Sequence, residues 1–151
     1  MSTKTLRQSP SGRQLGNYGF ALLGIEAAAP FLDGVPLVIP WNTELENSGI
    51  GSLVDATLGK AFRVNTPGIY LVSIVLNTED AVDMQIGLLG GSGGIPIGGS
   101  VVANAAFSSA VGPFRCVSLS GELGDILSTF RGDGSAGNLT TLSQLLVQLV
   151  G

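Results

Sequence analysis

The chain alternates between two kinds of apolar pattern. Over "DATLGKAFRVN" (55–65), apolar and polar positions take turns: Leu58, Phe62 and Val64 share one parity, Gly59, Ala61 and Arg63 the other. That period of two predicts a half-buried strand. The turn "NTPG" (65–68) follows, with Pro67 and Gly68 suited to a tight reversal. The next stretch, 69–77, is apolar on both parities, which predicts a strand covered on both faces. Residues 58–77 therefore read as a hairpin.

The rest of the chain gives more short strands. The pattern predicts strands at 19–25, at about 82–89, within 95–112, over 113–123, and at 125–130. "GVPLVIPW" (34–41) contains Pro36 and Pro40, which confine it to an edge strand or an extended crossing. "NTELENSGIGS" (42–52) reads as a loop, and so does the Gly-rich stretch after residue 130. The last segment, "LTTLSQLLVQLVG", fits a helix through Leu142, Leu145, Leu146 and Leu149, or a strand face through Leu145, Val147 and Leu149. It has no charge and no helix end signals, so a strand is expected. Short strands at roughly ten-residue spacing predict an all-β sandwich or barrel.

Composition sharpens this picture. Charged residues are 12% of the 151 and hydrophobic residues 44%, about half the usual charged share. No apolar run approaches the ~20 residues of a membrane-spanning helix. A surface so poor in charge predicts burial in an oligomer. The 23 glycines follow no triplet period and cluster in stretches such as "LLGGSGGIPIGGS", as turns require. Residues 1–13 carry Lys4, Arg7 and Arg13 and no acid, whereas all eleven acids follow. A basic arm (1–17), a connecting segment (18–34) and a β domain (35–151) are the expected divisions. Three bases without interleaved aromatics do not make a nucleic-acid footprint. The start of the chain has no apolar signal core, which predicts a protein made in a cytoplasm and not exported by the usual route.

Candidate chemistry is sparse. The absence of histidine removes the commonest general base and metal ligand. Serines lack a base partner, and the single Cys116 falls in an apolar run, as a buried inert thiol would. Glu79, Asp80 and Asp83 lack calcium-loop spacing, and Glu122 with Asp125 flank a turn without an aromatic groove. "FRGDG" (130–134) places Arg-Gly-Asp at an expected loop tip, "NLT" (138–140) matches a glycosylation acceptor, and Trp41 reads as a packing residue. Neither an enzyme nor a cofactor is expected.

"AFRVNTPGIYLVSIVLNT" resembles the signature of the tumour-necrosis-factor-like and complement globular-head jelly rolls: an aromatic (Phe62), a Val two on (Val64), a Pro-Gly turn (Pro67-Gly68), then a strand carrying Tyr70. "VSLSGELGDILSTF" is similar to that family's late strand pair, with Gly124-Asp125 at the turn. "VPLVIPWNT" resembles the entry segment of bacterial members at the tips of spore-surface glycoproteins. The resemblance implies a homotrimeric TNF-like jelly-roll β-sandwich. It places Phe62, Val64, Tyr70, Val72, Ile74 and Leu76 in the subunit core and Leu71, Ser73 and Val75 at the three-fold axis. With the basic arm in place of a collagen stalk, the expected role is a phage or viral capsid decoration protein or head spike. Its arm would grip the major capsid protein or another shell subunit at the virion surface. A spore- or cell-surface trimer and a receptor- or glycan-binding fibre tip are the alternatives.

Overall fold

A computed structural model describes residues 19–151, and these form eleven strands with no helix among them. In chain order they are β1 (Gly19–Gly24), β2 (Ala29–Phe31), β3 (Leu37–Val38), β4 (Thr43–Asn47), β5 (Gly51–Ala56), β6 (Gly59–Val64), β7 (Gly68–Gly90), β8 (Ile95–Cys116), β9 (Asp125–Asp133), β10 (Gly137–Leu139) and β11 (Gln144–Leu149).

The long β7–β8 hairpin organises everything else. Its first and last thirds lie in different layers. The early part of β7 pairs with β11 (Tyr70↔Leu149 to Val75↔Gln144) and with the late part of β8. The later part of β7 pairs with β9 (Asp83↔Asp133 to Gly90↔Ile126) and with the early part of β8. The first sheet is thus β4-β1-β11-β7-β8, and the second is β5-β6-β9-β7-β8. All pairings are antiparallel, and the two layers are one ladder folded over on itself.

The fold-over has a local cause. Register breaks between Asn77 and Val82, where the ladder loses its partners. Asn77 and Thr78 are buried there, and buried backbone groups must find other bonds. Side chains supply them. The Asn77 N–H donates to Ser143 Oγ at 3.1 Å, its amide Nδ2 donates to the Ala106 carbonyl at 3.0 Å, and the Thr140 hydroxyl donates to Asn77 Oδ1. On the open side, the two halves of β8 touch. A Cβ on Gly112 would sit 2.2 Å from the Ile97 carbonyl oxygen, so only glycine lets the two layers approach there.

Inward parities of both layers fill the core. Leu23, Tyr70, Val72, Ile74, Leu145 and Val147 from the first sheet meet Phe62, Val64, Met84, Ile86, Leu88 and Phe130 from the second. Trp41 is fully buried, and its indole N–H donates to Ser128 Oγ at 3.2 Å, as a buried indole requires.

Several sequence expectations need correction. Residues 58–77 are not a hairpin: β6 pairs with β5 and β9, β7 with β8 to β11, so the Asn65–Gly68 turn carries the chain from one sheet to the other. Residues 55–65 are not one strand, because the chain turns at Thr57-Leu58. "NTELENSGIGS" holds β4 and the start of β5, and both are edge strands. An edge strand keeps one row of backbone groups in water and tolerates charge, so Glu44 and Glu46 hide the pattern. From Gly19 on, the expected connecting segment (18–34) is built into the sheets. β1 lies inside the first sheet between β11 and β4, and β2 pairs with β10.

Candidate assembly surface

The outward face of the first sheet can be read row by row from the register. One row crosses Phe20, Gln148, Leu71 and Pro113; the next Leu22, Leu146, Ser73 and Val111; the third Gly24, Gln144, Val75 and Ser109. None of these twelve positions, three rows of four, is charged. Charge enters only at the border, at Glu46 beside Leu22 and at Arg115 beside Ile69. The face is not hidden within the subunit: Val111 is 59% exposed, Val75 43% and Phe20 38%. Gln144 and Gln148 of β11, with Ser73 and Ser109, supply the few hydrogen-bonding side chains.

Leu71, Ser73 and Val75 lie together in this face, the first two half-buried and Val75 exposed. Phe62, Val64, Tyr70, Val72, Ile74 and Leu76 are all buried on the inward parity. Burial pushes the Tyr70 phenol up from its usual value, and its O–H donates to the Thr66 carbonyl at 2.5 Å, pinning the Pro-Gly turn. Lys4, Arg7 and Arg13 lie outside the described residues. The sequence reading missed Phe20, Leu22, Leu146 and Val111. The signal that finds them is the lack of any charge in β1, in β11, and from Ile95 to Phe114 of β8.

The remaining chemical candidates resolve into structural contacts. Glu79 accepts from Asn138 Nδ2 at 2.9 Å and Asp83 from the Asn104 N–H at 2.8 Å. Among the described residues no group of three His, Cys, Asp or Glu is placed to hold a metal ion. Asp125 is buried and takes both Nε and Nη2 of Arg63, at 2.6 and 3.0 Å. Glu122 accepts from the N–H and the hydroxyl of Thr57, at 2.8 and 2.9 Å, and these bonds hold its carboxyl below the ordinary range. Arg131-Gly132-Asp133 is not at a loop tip. It lies within β9, and Arg131 pairs with Asp133 of the same tripeptide. Gly132 is small because the rings of Phe31 and Phe130 stack beside it, with centroids 4.9 Å apart. Burial raises the Cys116 thiol, which donates to the Ser118 carbonyl; such a thiol is a poor nucleophile.

No family model matches the sequence, and no curated protein matches it. Solved structures do. The vertex protein P5 of PRD1 superposes with a TM-score of 0.64 at 12% identity, over 88% of this chain and 97% of that one. Murine APRIL gives 0.60 at 18% identity, over 88% and 99%. The Eiger TNF of S. frugiperda gives 0.55 at 14%, over 89% and 93%. Identities this low speak to architecture alone. The order of strands in the two layers, the buried Tyr70 after the Pro-Gly turn and these superpositions agree: the chain has the TNF-like jelly-roll fold.

Proposed function

We propose that this chain is a non-enzymatic structural protein of a virion surface, a homotrimer that decorates the capsid and is held to its shell through the basic residues Lys4, Arg7 and Arg13. The observation that carries the reading is the uncharged outward face of the first sheet. Same-face neighbours are ~6.7 Å apart along a strand and ~4.8 Å between strands, so twelve positions cover about 400 Å². That is within the range of the largest apolar patch on a lone monomer, about 300–600 Å². It is also about half of what each partner brings to a standard interface.

The other half has a source. A cyclic trimer needs two different complementary surfaces on each subunit. Phe107 follows Ser109 on the same parity of β8 and extends the uncharged face, while Val101, on the second-sheet half of β8, is exposed beyond the same edge. Leu71, Ser73 and Val75 would then be covered by the neighbouring subunit. The vertex-protein likeness supports a place on a particle surface by analogy of fold.

Size exclusion with light scattering tests the assembly. The full chain is expected at three times its 15.3 kDa mass, and residues 19–151 at three times their own smaller mass. The cut falls before Gly19 because a later start would remove β1 from the middle of the first sheet. A monomer at micromolar concentration would sink the proposal. The full chain, but not residues 19–151, should co-sediment with shell particles lacking this protein. Equal co-sedimentation would remove the arm from the attachment.

A further inference from the structure

The sandwich has two ends, and they differ. Gly19, Gly68, Cys116 and Leu149 mark one end of the first sheet, and Gly24, Asn77, Phe107 and Gln144 the other. The far end is acidic: Glu26, Asp33, Glu79, Asp80, Asp83 and Asp133 gather around it, against Arg131. At the Gly19 end the acids are already committed, Asp125 to Arg63 and Glu122 to Thr57. Among the described residues no acid pairs with Arg115 there.

What the Gly19 end shows instead is aliphatic. The turn after β8 presents Val117, 73% exposed, with Leu119 and Leu123; the β7–β8 tip adds Ile95, 62% exposed; Ile69 and Val150 continue the patch. Val117, Leu123 and Ile95 line one hollow of about 210 Å³, with Phe114 at its base and Arg115 on its rim. The eighteen residues before Gly19, which hold Lys4, Arg7 and Arg13, join the fold at this same end. A patch of this kind is a mark of a docking surface.

We infer that the Gly19 end is the face that seats on the shell. This rests on the decoration reading above. The partner is a protein surface that is apolar at its centre and carries carboxylates at its border. The centre takes Val117, Leu123 and Ile95. The border takes Arg115. A lipid surface fits less well, because the patch offers no Trp or Tyr of the sort that settles at a membrane interface. The acidic far end then points outward, where like charges keep neighbouring copies apart.

The test uses particles carrying the full chain with Cys116→Ala and one new cysteine, Val117→Cys or Leu142→Cys. Leu142 is exposed at the far end, just before β11. The probe is a maleimide-polyethylene glycol. Free protein should label at either position. On particles, Leu142→Cys should label and Val117→Cys should be protected. Equal labelling of both, or protection of Leu142→Cys instead, overturns the inference while leaving decoration intact. Absence of the protein from particles overturns the decoration reading and this inference with it. Val117→Asp should lower particle occupancy at least about tenfold, since it buries a carboxylate among apolar groups and carboxylates. It should leave the elution of the free protein unchanged. Unchanged occupancy, or flotation of the full chain with phosphatidylcholine–phosphatidylglycerol vesicles matched by loss of flotation in Val117→Asp, would place this end elsewhere.

Discussion

On the outward face of the second sheet Arg63 meets Asp125 across β6 and β9, and Arg131 meets Asp133 along β9. On the outward face of the first sheet the corresponding rows hold leucine, valine, glutamine, serine and proline. The two layers share a ladder, a core and a hairpin, so neither folding nor packing within the subunit demands this difference. A face that ends in water gains from charge, which keeps it soluble and discourages edge pairing. A face that ends against another protein loses by it, because each buried unpaired charge costs several kcal/mol. The contrast between the layers is therefore a statement about what each faces.

The sharpest way to break the contrast is to write a charge into the blank face. Val111→Glu sits at the β8 end of the middle row, beside Ser73. Its side chain is well exposed in the subunit, so the subunit should still fold, with an unchanged far-ultraviolet circular dichroism spectrum. The trimer should be lost at micromolar concentration, a weakening of at least about a hundredfold. A trimer that survives this change by light scattering would mean that the face is not an interface. The converse change removes charge from the other layer. Asp125→Asn keeps the shape but leaves Arg63 with a neutral acceptor, and Asp125 is the buried member of the pair. A cost of about 1–3 kcal/mol is expected, since charge-assisted bonds to a buried group are the stronger kind and Arg63 is partly exposed. It should show as a lower urea midpoint with the trimer retained. Loss of assembly without loss of stability would reverse the roles assigned to the two sheets.

How far these layers can be read from sequence depends on what local pattern encodes. Parity is local, so inward Tyr70, Val72, Ile74 and Leu76 stand out beside the outward Leu71, Ser73 and Val75. Pairing is not local. The turn at Pro67-Gly68 looks like a hairpin turn, yet nothing in it says whether its flanking strands pair or part into different sheets. Edges are the hardest. Thr43–Asn47 has charged side chains because its open side meets water, and hydropathy cannot tell that from a loop. The tripeptide Arg131-Gly132-Asp133 misleads for the opposite reason: Gly132 suits a turn, but here it makes room for two stacked rings. The blank face was half legible. An uncharged β11 and β8 are visible in the sequence, but only the register places Leu22, Leu146, Ser73 and Val111 in one row.

The smallest expected effect sharpens the comparison at the edge of the charged layer. Glu122 lies on the turn before β9 and ties it to the β5–β6 turn through Thr57. The Thr57 N–H bond, then the hydroxyl bond, stabilise the ionised carboxylate, so its folded value lies below the ordinary one. The sign follows from linkage: a depressed carboxyl adds stability above its unfolded value, and that stability is lost as pH falls through the folded value. Wild type should therefore melt above Glu122→Gln at neutral pH. The gap should close as pH drops through and below the normal carboxylate range, with assembly untouched throughout. A gap that stays constant with pH would show that the contact acts through shape and not through charge. The second sheet's turns would then owe their order to packing alone, like the blank face opposite.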